Sequence, residues 1–246
     1  MAEENKGLDV KKPGSLIVGG GNRKGLEEPS QQEDFIIPRA KLLQALSPEV
    51  VEHPDKFKPG MIINSLTLEV LPETFIPVFK FTNWIRFNPR NAKDQNYDPA
   101  YGPGDIIWRS KDPLDPRVIA ESKFGEDGSN PLATKFLNFF AMFPGVDMPV
   151  IVSFSKTSFK AGKRLLTLAQ FATKDGQAID LFGRKYRLGV KQEVNDAKQM
   201  YFVLTVDPGD FVPAEDLDGL AALWERFHAK PIQVHEEAAE EEIQEA

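Results

Sequence analysis

The sequence predicts a mainly β protein, an oligonucleotide-binding type of barrel with a few peripheral helices. Three observations carry that expectation. Residues 149–206 break into short runs in which apolar side chains alternate with Lys, Arg and polar ones, the period of a half-buried strand. The runs are joined by turn chemistry, clearest at Lys174-Asp175-Gly176. A second alternating stretch, Phe75 to Phe87, lies upstream. Short strands at even spacing joined by hairpins suit a small antiparallel barrel.

Taken in order, residues 1–33 are rich in Gly, Lys, Glu, Ser and Gln with little to bury, and are expected to form a disordered arm. Within it, Gly19-Gly20-Gly21-Asn22-Arg23-Lys24-Gly25 lacks the Gly-Lys-Ser/Thr ending and flanking strand and helix of a phosphate loop. The folded domain is expected over residues 34–230. Pro38 followed by Arg39 to Leu46 suits a short helix ending near Ser47-Pro48. Leu66, Leu68 and Val70 alternate with polar residues as in a strand.

In the strand from Phe75 to Phe87 the odd positions form an apolar face, while Lys80, Thr82, Trp84 and Arg86 share the other. That second face fits a base stacked on Trp84 between two cations; it equally fits a tryptophan covered by another layer. Residues 88–131 form an inserted loop rich in Pro, Gly, Asp and Asn, with a short strand at 105–110 that carries Trp108 and Arg109. The carboxylates Asp94, Asp98, Asp105, Asp112 and Asp115 lack calcium-loop spacing and are expected to shape turns. Leu132 to Phe143 is apolar nearly all round, and reads as a buried helix or plug.

In the central stretch, a strand at 150–154 is expected to lead through the basic connection Lys156–Arg164 into a second strand, Leu165 to Phe171. A third strand turns Tyr186, Leu188 and Val190 inward and Lys185, Arg187 and Lys191 outward. A fourth buries Met200, Phe202, Leu204 and Val206 and exposes Tyr201 and Thr205. A helix from Ala214 to Ala229 follows from the spacing of Leu217, Leu220, Leu223, Trp224 and Phe227.

Charge decides what the sheet could meet. The net charge is −7, yet residues 236–245 alone hold Glu236, Glu237, Glu240, Glu241, Glu242 and Glu245 in an acidic tail, residues 231–246. From Ile151 to Val206 ten cations face four anions. With no cysteine there is neither disulfide nor thiolate chemistry, and a reducing compartment, the cytoplasm, is expected. No run approaches the roughly 20 apolar residues of a membrane span. His53, His228 and His235 are far apart, no serine stands in a nucleophile elbow, and no dinucleotide fingerprint follows a strand. The expectation is therefore a binding protein without cofactor, not an enzyme.

The stretches FIIPRAKLLQALSPEVV, GMIINSLTLEVLPETFIPVFKFTNWIRF and PVIVSFSKTSFKAGKRLLTLAQF, with the hairpin YRLGVKQEVND…YFVLTV, resemble bacteriophage single-stranded DNA-binding proteins with an oligonucleotide-binding barrel and an acidic C-terminal tail. Relatives carry cysteines in the middle segment that look like a zinc site. This chain has none, so that feature does not transfer. The resemblance implies a sequence-tolerant protein of phage DNA replication or recombination, located in the host cytoplasm, whose tail recruits partner proteins and competes for the DNA groove. Lys80, Arg86, Arg109, Lys156, Lys160, Lys163, Arg164, Lys185, Arg187 and Lys191 are the candidate phosphate ligands, and Trp84, Trp108, Phe159, Phe171 and Tyr201 the candidate stacking residues. A virion structural or scaffold component is the alternative, and a metal-dependent nuclease using the Asp94–Asp115 loop is a third.

Overall fold

The computed structural model describes residues 37–126, 128–195 and 197–228. The expected arm, residues 1–33, and the acidic tail, residues 231–246, lie outside the described residues. The elements run β1 (Ala40–Leu42), α1 (Pro48–Glu52), β2 (Ile62–Asn64), β3 (Thr74–Phe87), β4 (Ile106–Ser110), α2 (Pro116–Glu121), β5 (Ala133–Met142), β6 (Val150–Phe154), α3 (Phe159–Gln170), β7 (Thr173–Lys174), β8 (Gln177–Ala178), β9 (Arg184–Val194), β10 (Met200–Phe211) and α4 (Ala214–Phe227). The protein is thus mainly β with a few helices around one large antiparallel sheet. No helix among the described residues is long and apolar enough to cross a membrane.

The sheet has the order β10-β9-β3-β5-β6, and β4 pairs with the far end of β3. Strand β3 is its spine. It pairs with β5 from Ile76 to Arg86, whereas on the opposite edge β9 takes only Thr74 and Phe75 and β4 takes Trp84 to Phe87. A register shift between Pro77 and Phe79 switches the faces of β3. Before it, Phe75 points into the inner core, stacked on Phe143 at 5.8 Å. After it, Phe79 points outward and stacks on Phe140 at 4.7 Å, which in turn stacks on Phe227 of α4 at 5.2 Å. The odd positions of this strand therefore divide among three clusters, Phe75 in the inner core, Phe79 and Phe81 in the outer one and Ile85 with Phe87 in a third, instead of sharing one face.

The mainly β class holds, but no strand pair closes the sheet among the described residues, so the expected barrel is corrected to an open antiparallel sheet. The sheet nevertheless curls, because Val150, Val152 and Phe154 of edge strand β6 share the inner core with Leu204 and Val206 of edge strand β10. The gap between those edges is filled by other means. Pro38 accepts the Ile151 amide on the β6 side at 2.8 Å. On the β10 side the Gln44 side chain donates to the Phe202 carbonyl and accepts its N–H, both at 2.9 Å, as a neighbouring strand would. Further along the same edge, Ser158 Oγ accepts the Leu204 amide at 3.1 Å and Arg164 Nε donates to the Val206 carbonyl at 2.8 Å. Side chains thus satisfy an edge that would otherwise invite another strand.

Several local expectations are corrected. The residues after Pro38 form β1 and a turn, and the helix comes later, with Pro48 in its first turn. Over residues 65–68 the chain turns, so Leu66 and Val70 do not form a strand face and are exposed. Residues 133–142 are strand β5, not a helix: hydrogen-bonded between β3 and β6 and covered on both faces, the segment has no polar side and so shows no period of two. The expected strand at 165–171 is the second half of helix α3, whose Ala161, Gly162 and Leu165 are buried. Met200, expected to be buried, is 64% exposed because it lies beside the connecting turn, at the tip of the β9–β10 hairpin.

Other expectations hold. The β7–β8 hairpin turns through Asp175 and Gly176 at φ 52° and 78°, both left-handed as its tight turn requires. Tyr186 and Leu188 are buried, and α4 buries Leu220 and Leu223. Each carboxylate of the 94–115 region accepts a backbone N–H of its own turn: Asn96 to Asp94, Ala100 to Asp98, Gly102 to Asp105, Leu114 to Asp112 and Arg117 to Asp115. Buried Asn88 knots the loop, donating to the carbonyls of Asp98, Tyr101 and Gly102 and accepting the Asp98 amide.

Candidate nucleic-acid interface

The site is built on the first two turns of α3. A 3-10 turn at Lys156–Ser158 leads off the end of β6 into the helix. Ala161, Gly162 and Leu165 fix one side of it against the sheet, so Lys156, Lys160 and Lys163 are left exposed with Phe159 half-buried among them. A Cβ built on Gly162 would stand 2.7 Å from Phe154 Cβ, which is how closely this helix approaches β6.

Two arms of the sheet meet this helix. From the β3–β5 arm, Lys135 places its Nζ 5.2 Å over the Trp84 ring and 5.9 Å over the Phe159 ring. Lys163 approaches Phe159 at 5.2 Å, so one aromatic ring lies between two ammonium groups. From the β9–β10 arm, Glu193 accepts from Lys191 Nζ at 2.8 Å and from the Tyr201 hydroxyl at 3.2 Å. The hydrogen bond from Lys191 is the main reason the Glu193 carboxyl is held below its ordinary pKa; partial burial opposes it, and the Tyr201 hydroxyl and the charges of Lys191 and Lys160 act in the same sense as the bond. The same bond raises the Lys191 pKa. Phe159, Lys160, Lys163, Lys191 and Tyr201, joined by Lys135, are therefore one basic surface with aromatic groups in it.

The remaining predicted residues lie elsewhere. Trp84 and Trp108 are each 8% exposed, packed with Val118 of α2 and Ala133 of β5. Of the two readings of Trp84, the covering layer is the one realised: β4 and α2 close over it on one side and Lys135 on the other. The Trp108 indole donates to Glu121 at 3.0 Å, and Arg86 pairs with the same carboxylate at 2.9 Å, so Arg86 is spent on holding α2 down. Arg164 is an edge cap that also pairs with Asp207 at 2.7 Å. Lys185 and Arg187 follow the outer face of β9, Arg187 directly across from Asp207. Arg109 is exposed on β4 opposite Ile85, and Lys80 is exposed on β3 opposite Phe139. Phe171, just past α3, is 77% exposed.

Lys135 was not among the sequence candidates. Read as part of a helix, its segment gave it no partner; paired as a strand, it falls opposite Trp84. The usable signal was the aromatic enrichment of the segment, with Phe136, Phe139, Phe140 and Phe143, which favours a strand over a helix of the same hydrophobicity.

Residues 14–233 match the family described as Pam3 phage gp34-like protein. The chain belongs to that family. It is a bacteriophage protein family, which agrees with the phage resemblance of the sequence and leaves the bound partner to be argued from chemistry. Comparison with the curated proteins and with the solved structures returned no match.

Proposed function

We propose that this phage protein binds single-stranded DNA without strong sequence preference, in the host cytoplasm and in the service of phage DNA replication or recombination. The observation that carries the reading is the convergence on α3 of Lys135, Phe159, Lys160 and Lys163 with Lys191 and Tyr201 of the hairpin. Ammonium groups that neutralise phosphates release condensed counterions, and half-exposed aromatic rings between them stack bases of any identity. The acidic tail, residues 231–246, fits the same reading as a competitor for that basic surface and as a recruiter of partner proteins. No catalytic step is assigned to the chain.

The test is a fluorescence titration of labelled oligo-dT at two salt concentrations. Affinity is expected to fall steeply with salt, by a slope of about 0.7 per phosphate contacted. Combined Lys160→Gln, Lys163→Gln and Lys191→Gln substitution should flatten that slope by about 2. Deleting residues 235–246 should tighten binding. Absence of binding at low salt in both the full-length and the tail-deleted chain would overturn the proposal.

The burial of Trp84 and Trp108 favours a second reading, a virion structural or scaffold component, because it removes two of the five expected stacking groups. Co-sedimentation with phage particles, together with DNA affinity insensitive to the triple substitution, would support that reading instead.

A further inference from the structure

We infer that Lys160, Lys191 and Tyr201 form a phosphodiester-binding subsite that Glu193 occupies in the free protein. The inference rests on the DNA-binding reading for the identity of the anion. Three elements supply the cationic and hydroxyl groups: α3 brings Lys160, β9 brings Lys191, and β10 brings Tyr201. All three act on one carboxylate, Lys191 and Tyr201 by hydrogen bonds at 2.8 and 3.2 Å and Lys160 through its charge. Glu193 and Tyr201 are register partners, and Lys191 lies two residues from Glu193 on the same face of β9.

Glu193 is thus an anion within a basic surface, held by the kinds of group that would hold a phosphate oxygen. Lys191 and Glu193 are both solvent-accessible, with side chains 64% and 36% exposed, so exchange of the carboxylate for an incoming phosphate requires no repacking of the core. The carboxylate weakens binding in two ways: it occupies two donors, and its charge repels the strand. A unit charge about 4 Å away in water is worth about a fivefold change in affinity. A phosphate gaining the vacated donors adds about 0.7 to the salt slope for a single strand.

The experiment compares wild type with Glu193→Gln, both full-length, in oligo-dT titrations from low to moderate salt. Inorganic tripolyphosphate serves as a second probe, followed by the NMR shifts of the Lys160 and Lys191 amides. The substitution is on a partly exposed strand position, and an unchanged circular dichroism spectrum confirms the fold. Glu193→Gln is expected to bind oligo-dT about fivefold more tightly at low salt, with the steeper slope, and to respond to tripolyphosphate at lower concentration than wild type. Equal or weaker binding of both probes by Glu193→Gln overturns the subsite, and leaves the DNA-binding proposal standing if wild type binds oligo-dT. A gain for tripolyphosphate with no oligo-dT binding by either protein supports the subsite and overturns the DNA-binding proposal.

Discussion

Replacing Gln44 by alanine tests how the open sheet is held together. The Gln44 side chain is 5% exposed and bonds both the N–H and the C=O of Phe202, each at 2.9 Å. Alanine removes two hydrogen bonds, each worth about 1 kcal/mol net. It also leaves a backbone donor and an acceptor on a half-buried edge, where water recovers only part of the loss. The total is about 2–4 kcal/mol. For a folded region of this size that corresponds to a fall in Tm of about 5–15 °C. Urea denaturation should show a lower midpoint at unchanged slope, since the surface exposed on unfolding is the same. Gln44→Met, which keeps the length of the side chain but not its polar end, should lose about as much. A loss below about 0.5 kcal/mol for alanine, or recovery by methionine, would refute the account and show that packing, not edge satisfaction, holds this segment to β10.

Gly162→Ala reverses an ordinary rule: alanine is the better helix former by about 1 kcal/mol, yet its Cβ would stand 2.7 Å from Phe154 Cβ, so chemical denaturation should show a net loss of about 1–3 kcal/mol. The Tyr186 hydroxyl is buried without a hydrogen-bond partner, and Tyr186→Phe should be neutral or stabilising in thermal unfolding at neutral pH. Burial raises the Tyr186 pKa, an effect that the nearby charge of Arg184 only partly opposes, so its contribution is complete below about pH 10 and is lost as pH rises through the folded value. Alkaline unfolding of wild type should accordingly be delayed in Tyr186→Phe. Finally, Phe171→Ala should weaken oligo-dT binding by about 1–3 kcal/mol if its 77% exposed ring stacks a base, whereas Trp84→Phe should lower stability and leave affinity unchanged; the opposite pattern would return Trp84 to the interface.

Where local chemistry was sufficient, the sequence alone determined the element. The hairpin at Lys174-Asp175-Gly176 needs two left-handed residues in a row, and few residue types tolerate that conformation. The alternation of Tyr186 and Leu188 with Lys185 and Arg187 specified the faces of β9, and the turn-forming carboxylates of residues 94–115 each found an amide within three residues. The basic character of residues 151–206 was equally legible.

What remained undecided was everything that depends on neighbours distant in the chain. Strand β5 is buried on both faces, so its sequence carries no period and only its pairing with β3 and β6 makes it a strand. Helix α3 has a narrow buried side that acquires meaning only against Phe154 of β6 and the edge of β10. Whether Trp84 meets solvent was decided by α2 and Lys135, which lie about 30 to 50 residues away in sequence. The pairing of Glu193 with groups from two other elements belongs to the same class: charge can be counted along a chain, but which anion faces which cation is set by the register of β9 on β10 and by the helix packed beside them.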